Sequence, residues 1–235
     1  MKRAAGALGA LAVVLLAAWA GRRAHLAELH AQEGVAVPAG EASAPVPLPQ
    51  AIPGDAAPEP GLVTSRSIPE RLPPFSLHDR AGVATPISTW QGKSLIINFW
   101  ATWCAPCRRE MPLLQALDNT WAGRNFRVIG IAVDHRDAVL KFASSLQIGY
   151  PLLIGEEDAL DVATSLGVTT PALPFTVFTD RRGQIVALYI GELHKPESDL
   201  ILSTVLEVNQ DLLAVDAARE RIAAQLAKLH TAAAA

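Results

Sequence analysis

Apolar and polar positions divide the chain into three regimes. The first is an uncharged apolar run from Ala4 to Ala20, preceded by Lys2 and Arg3 and closed by Arg22 and Arg23. The second, Val37 to Pro60, is Pro, Ala, Gly and Glu with few large apolar residues. The third begins near Leu72 and alternates short apolar runs with helical periodicity. Phe75–Leu77 and Thr85–Ile87 flank the turn 78–82 and predict a hairpin. Leu95–Trp100 and Val128–Val133 are continuous apolar runs, the pattern of strands buried on both faces. Helical patterns cover Cys104–Leu117, Asp137–Gln147 and Ala159–Leu166, with a short strand at Pro151–Ile154. Phe175–Thr179 and Gln184–Ile190 form a second hairpin across Asp180–Gly183. A helical tail runs from about Pro196 to His230, broken near Asn209. Strands alternating with helices predict a three-layer α/β domain.

The first two regimes lie outside that domain. A charged start, an apolar core and Ala18-Trp19-Ala20 fit a secretory signal peptide, residues 1–23. The run also reaches the short end of a membrane-spanning helix, with Trp19 suited to the interface. It outlasts a usual signal core, so the anchor is preferred; either reading exports the rest of the chain. Residues 24–70, a short helical stretch aside, cannot bury enough surface to fold and predict an extended spacer. At about 3.1 Å per residue it reaches on the order of 100 Å. Residues 71–208 are the folded domain and 209–235 a helical extension, packed or partner-binding.

Half of the residues are hydrophobic, so the core needs no covalent staple. Net charge is −3 and there is no basic stripe, which argues against a nucleic-acid partner. The only two cysteines, Cys104 and Cys107, stand three positions apart. A disulfide between them closes too small a loop to stabilise the fold by chain entropy, so the pair points to chemistry.

The strand ending at Trp100 runs through Ala101-Thr102-Trp103 into Cys104-Ala105-Pro106-Cys107 and a helix. Cys104 therefore sits at a helix N-terminus, where unpaired N–H groups and the helix dipole favour a thiolate. Cys107, one turn further in and less exposed, can resolve a mixed disulfide. Pro106 is tolerated because an N–H in the first turn has no helical partner. Zinc needs further ligands, and His78, His135 and His194 are scattered. Haem attachment needs His after the second Cys, where Arg108 stands. Glu110 follows Cys107 by three residues and shares its helical face.

The segment Asn98-Phe99-Trp100-Ala101-Thr102-Trp103-Cys104-Ala105-Pro106-Cys107-Arg108-Arg109-Glu110-Met111-Pro112, with Gly92-Lys93 and Gly130–Asp134, resembles the TlpA-like family. These are membrane-tethered thioredoxin-fold disulfide reductases related to those of cytochrome c maturation. The resemblance covers about Pro73 to Leu206. It implies a thioredoxin fold with an N-terminal hairpin and an added αβ insert near Asp137–Leu166. It also implies a glutamate at 110 that tunes the thiols, against the alternative of a solvated acid. Trp103 covers the cysteines or packs beside the strand end, and Pro112 kinks the helix. The resemblance implies a cis proline facing the pair, for which Pro171 and Pro174 compete. Pro174 is chosen because Phe175 opens the next strand directly, and Leu173 would then offer main-chain hydrogen bonds to substrate. The loop from Gly167 to that proline is two residues longer than the commonest form.

The implied activity is reduction of disulfides in exported proteins, apocytochromes among them, with re-reduction by a membrane electron-donor protein. Neither an organic cofactor nor a metal is required. The alternatives are a thiol oxidant, since direction depends on potential, and a dithiol copper carrier.

Overall fold

The computed structural model describes residues 61–62, 68–168 and 172–233. The apolar run 4–20 and nearly all of the 24–70 spacer lie outside the described residues, as does Pro171. Among the described residues, no helix is long and apolar enough to cross a membrane.

The strands are β1 Gly61–Leu62, β2 Ser76–Asp79, β3 Ala84–Pro86, β4 Ser94–Trp100, β5 Phe126–Val133, β6 Leu152–Gly155, β7 Phe175–Thr179 and β8 Ile185–Ile190. The helices are α1 Ala105–Trp121, α2 Arg136–Ser145, α3 Glu157–Ser165, α4 Lys195–Asn209 and α5 Val215–Ala233. One mixed sheet runs β1-β8-β7-β4-β5-β6-β2-β3. Its centre, β4-β5-β6, is parallel, and β7 pairs antiparallel with β4. The two hairpins, β2–β3 and β7–β8, flank that centre.

All seven residues of β4 are buried, because helices or loops cover both faces. Ile96, Trp100, Val128 and Ala132 face one core with residues of α1, α2, α4 and α5. Ile97, Phe99, Ile129 and Ile131 face the other, with α3 and Ile87. The alternation within one apolar run follows from the two-residue period of a strand. The layered fold and the αβ insert (α2, β6, α3) are as expected. At Gly130 a Cβ would meet Leu152 at 2.6 Å and Tyr150 at 3.0 Å. A hydrogen is the only side group that lets Tyr150 and Trp100 close over β5 there.

The structure departs from the expected boundaries in three places. Gly61–Leu62, within the stretch expected to be spacer, pairs with β8 as an edge strand, and Glu70 O accepts the Ile185 N–H at 2.9 Å. A β-branched or apolar run was not needed there, because two residues of backbone suffice to pair with an exposed edge. The first active-site helix continues through Pro112 to Trp121 rather than ending near Leu117. The extension beyond 208 is packed: Ala218, Ile222 and Leu226, at helical spacing, are buried in the same core as α1 and α4. It is part of the domain and not a separate appendage.

Candidate active site

The residues around the cysteines are placed by β4, α1, the strands beside β4 and the segment after β8 that holds Leu193. Cys104 is the N-cap of α1, with extended backbone, and its Sγ accepts the Cys107 N–H at 3.3 Å. A side-chain acceptor on that N–H satisfies one of the donors a helix start leaves open, and the same bond would hold a thiolate. Pro106 sits in the first turn, where it removes no helical bond. Cys104 and Cys107 are joined in a disulfide. Cys107 is sealed from solvent, while Cys104 keeps 5% of its surface exposed.

The Leu173–Pro174 peptide bond is cis. β7 pairs antiparallel with β4, with Phe175 opposite Phe99, so Pro174 lies at the end of the sheet from which Cys104 emerges. Its carbonyl accepts the Gly191 N–H at 2.8 Å. Leu173 is partly buried and touches both cores.

Glu110 is not a solvated acid. It is buried, and its two oxygens are held separately. Asn98 Nδ2 donates to Oε1 at 2.7 Å and the Leu193 N–H donates to Oε2 at 2.7 Å. Asn98 Nδ2 also donates to Thr176 Oγ1 at 3.0 Å, which makes a polar row across β4 and β7 beneath α1. Burial pushes the Glu110 carboxyl up to about 8, against the two donated hydrogen bonds, which lower it; the charge of Glu192 adds a smaller upward push. Burial wins here because desolvating a carboxylate costs more than two donors return. This acid therefore holds its proton to a higher pH than a solvated glutamate does.

Trp103 is 69% exposed, so it does not pack beside the strand end. It stands in solvent next to Cys104. Arg109 is exposed, with its Nε 2.9 Å from a Glu192 carboxylate oxygen. Among the described residues, no group of three or more His, Cys, Asp or Glu is arranged to hold a metal. Sequence reasoning assigned no part to Asn98 and Thr176. A lone Asn in the apolar run 95–100 was the available signal, since a buried amide needs a partner.

A thioredoxin fold with a dithiol at the N-cap of the helix after its central strand defines a thiol–disulfide oxidoreductase. The chain belongs to the AhpC/TSA family, whose profile matches residues 68–188. It is 28% identical over 143 residues to the thiol-disulfide oxidoreductase ResA of Geobacillus kaustophilus, covering 60% of this chain and 80% of that one. It is 29% identical over 136 residues to the thioredoxin-like protein YneN of Bacillus subtilis, covering 55% and 75%. Among solved structures it is similar to a thioredoxin-family thiol:disulfide interchange protein from Chlorobium tepidum TLS. That match has a TM-score of 0.52 and 29% identity, and covers 61% of this chain and 99% of that one. A DsbF homologue from Corynebacterium diphtheriae, at 20% identity and a TM-score of 0.52 over 67% and 96%, shares the fold. These relatives support the resemblance to TlpA-like oxidoreductases read from the motif around the cysteines.

Proposed function

We propose that the protein reduces disulfides of exported proteins on the outer side of the cytoplasmic membrane, tethered there by residues 4–20. In the reduced enzyme the Cys104 thiolate attacks one sulfur of the substrate disulfide, and the other sulfur leaves as a thiolate. Cys107 then loses its proton and attacks Cys104 Sγ, which forms the Cys104–Cys107 disulfide and releases the second substrate thiolate. The two electrons come from the dithiol. A membrane electron-donor protein restores them, and no organic cofactor or metal takes part. Apocytochromes are one class of exported substrate that fits the resemblance.

The observation that carries this reading is the setting of Cys107: it is fully buried and followed, on the same helical face, by the buried acid Glu110. Burial of Cys107 confines thiolate stabilisation to Cys104, and the less the reduced pair is stabilised, the better a reductant it makes. Glu110 supplies a carboxyl that exchanges a proton with the pair as it opens and closes. Trp103 and Leu173, beside Cys104 and Pro174, are the contacts for an extended substrate segment. The name of ResA, a thiol-disulfide oxidoreductase, agrees with the chemistry. The apolar run and spacer support a location outside the cytoplasm.

Equilibration of the full chain with glutathione buffers tests the direction. A potential near that of thioredoxin, about −270 mV, is expected; one near about −120 mV would make the protein a thiol oxidant. Substrates are identified by replacing Cys107 with Ser and recovering the proteins left disulfide-linked to Cys104.

A further inference from the structure

Cys104 closes a turn that opens at Ala101, with the Cys104 N–H donating to Ala101 O at 3.2 Å. Thr102 and Trp103 are the central residues of that turn. Thr102 lies beyond the end of β4, so its N–H has left the sheet ladder and needs another acceptor. One side chain takes both of its polar groups. Asp134 Oδ2 accepts the Thr102 N–H at 2.9 Å and the Thr102 hydroxyl as well.

Asp134 is itself held from three directions. Its Oδ1 accepts the His135 N–H at 2.8 Å, and its N–H donates to Gly155 O at 3.1 Å. It directly follows β5, whose last residues pair with β6. The next two residues tie down the surroundings. His135 Nδ1 lies 2.9 Å from Glu156 at the start of α3, and the Arg136 guanidinium donates to the carbonyls of Asp79 and Arg80 in the β2–β3 turn. Three consecutive residues thus join the active-site turn, the αβ insert and the N-terminal hairpin.

We propose that Asp134 is a positioning residue for the redox pair, acting through Thr102. By fixing the turn 101–104 it sets the extended backbone of Cys104 at the N-cap, and so the alignment of Sγ with the Cys107 N–H. It touches neither sulfur. The inference concerns the nucleophile alone and holds whichever way the electrons run, so a wrong direction for the enzyme leaves it standing. It also gives the insert a part: β6 and the N-cap of α3 hold the backbone and the neighbour of the residue that braces the turn.

The test is site-resolved alkylation of Cys104 across pH in the reduced full chain. The variants are Thr102→Val, Asp134→Ala, the two combined, and Thr102→Ser. Thr102→Val changes no charge, so it separates positioning from electrostatics. Each single variant is expected to raise the apparent Cys104 pKa by about one unit, a tenfold loss of thiolate at fixed pH. Thr102→Ser, which keeps both bonds, restores the rate. The double variant is no slower than the slower single one, because both remove the same constraint. Melting curves of oxidised and reduced protein run alongside, so that alkylation is read only from folded chain. Cys104 reacting at the parental rate in Thr102→Val would overturn the proposal. So would additive losses in the double variant, or faster alkylation in Asp134→Ala, the sign of a bare charge effect.

Discussion

The two sides of the Cys104–Cys107 pair differ in almost every physical respect. In front, Trp103 and the Arg108 and Arg109 side chains stand in water. The Arg109–Glu192 pair there is a surface ion pair, of a kind that contributes little to stability. Behind, Cys107, Glu110, Asn98 and Thr176 are buried, and the Asn98 amide nitrogen ties the row Glu110–Asn98–Thr176 together by two hydrogen bonds, while Asn98 Oδ1 is buried without a partner. The front can change partner without loss of fold. The back cannot change a single donor without leaving a buried group unpaired. The exposed and the buried side are thereby separated by the thickness of one helical turn.

The sharpest way to break this contrast is at the sulfurs themselves. Replacing Cys107 with Ser should cut turnover on a model disulfide by at least about 10³-fold, as loss of a nucleophile that acts in concert with another does. Single-turnover formation of the mixed disulfide at Cys104 should persist, and chromatography of the trapped adduct checks it. Next in size is the buried row. Asn98→Leu strands the Glu110 and Thr176 oxygens, each at about 1–3 kcal/mol. A loss of about 3 kcal/mol in urea unfolding is expected, and Trp103→Ala should show none of it.

The pH dependence of stability sharpens the same contrast. The Glu110 carboxyl is raised in the fold from 4.5 to about 8. Its contribution is therefore fully present below about pH 4.5, where folded and unfolded chains are both protonated. It is lost as pH rises to about 8, because the unfolded chain releases this proton first, at up to about 1.36 kcal/mol per pH unit. Urea midpoints of the oxidised protein at pH 5, 7 and 9 should show this slope. Glu110→Gln should remove the slope, whatever it does to the midpoint at pH 5. An unchanged slope in the variant would assign the pH dependence to other groups. Smallest in stability is Trp103→Ala, expected within about 0.5 kcal/mol of the parent, with its effect confined to KM for protein substrates in steady-state assays.

The same division explains what the sequence made legible. β4 and β5 could be read because a strand covered on both faces must be apolar throughout, and Leu95–Trp100 and Val128–Val133 are. Cys104 and Cys107 could be read because few chemistries use two cysteines three apart at a strand-to-helix junction. The burial of Glu110 could not. Helical spacing puts it on the face of Cys107, but whether water reaches that face depends on α4, α5 and the segment around Leu193, far away in the chain. Asn98 was hidden for the converse reason: its run is apolar enough to be a strand with or without it. Asp134 and Thr102 are 32 residues apart, and only the parallel pairing of β4 with β5 brings their ends together. Gly61–Leu62 pairs through backbone alone, which leaves no mark in the side-chain pattern.

Helix α5 carries a consequence for biogenesis. Ala218, Ile222 and Leu226 close the core that α4 and β8 begin, and the Arg219 guanidinium donates to the Ile185 carbonyl at 2.6 Å. A chain synthesised from its N-terminus cannot complete that face until more than a hundred residues have followed Cys107. During that interval both thiols sit in an unfinished domain, open to oxidation with other chains and to aggregation through bare apolar surface. Synthesis of the last helical turns thus acts as the timer for closing the core, and a chain truncated before Ala218 should leave that apolar surface bare.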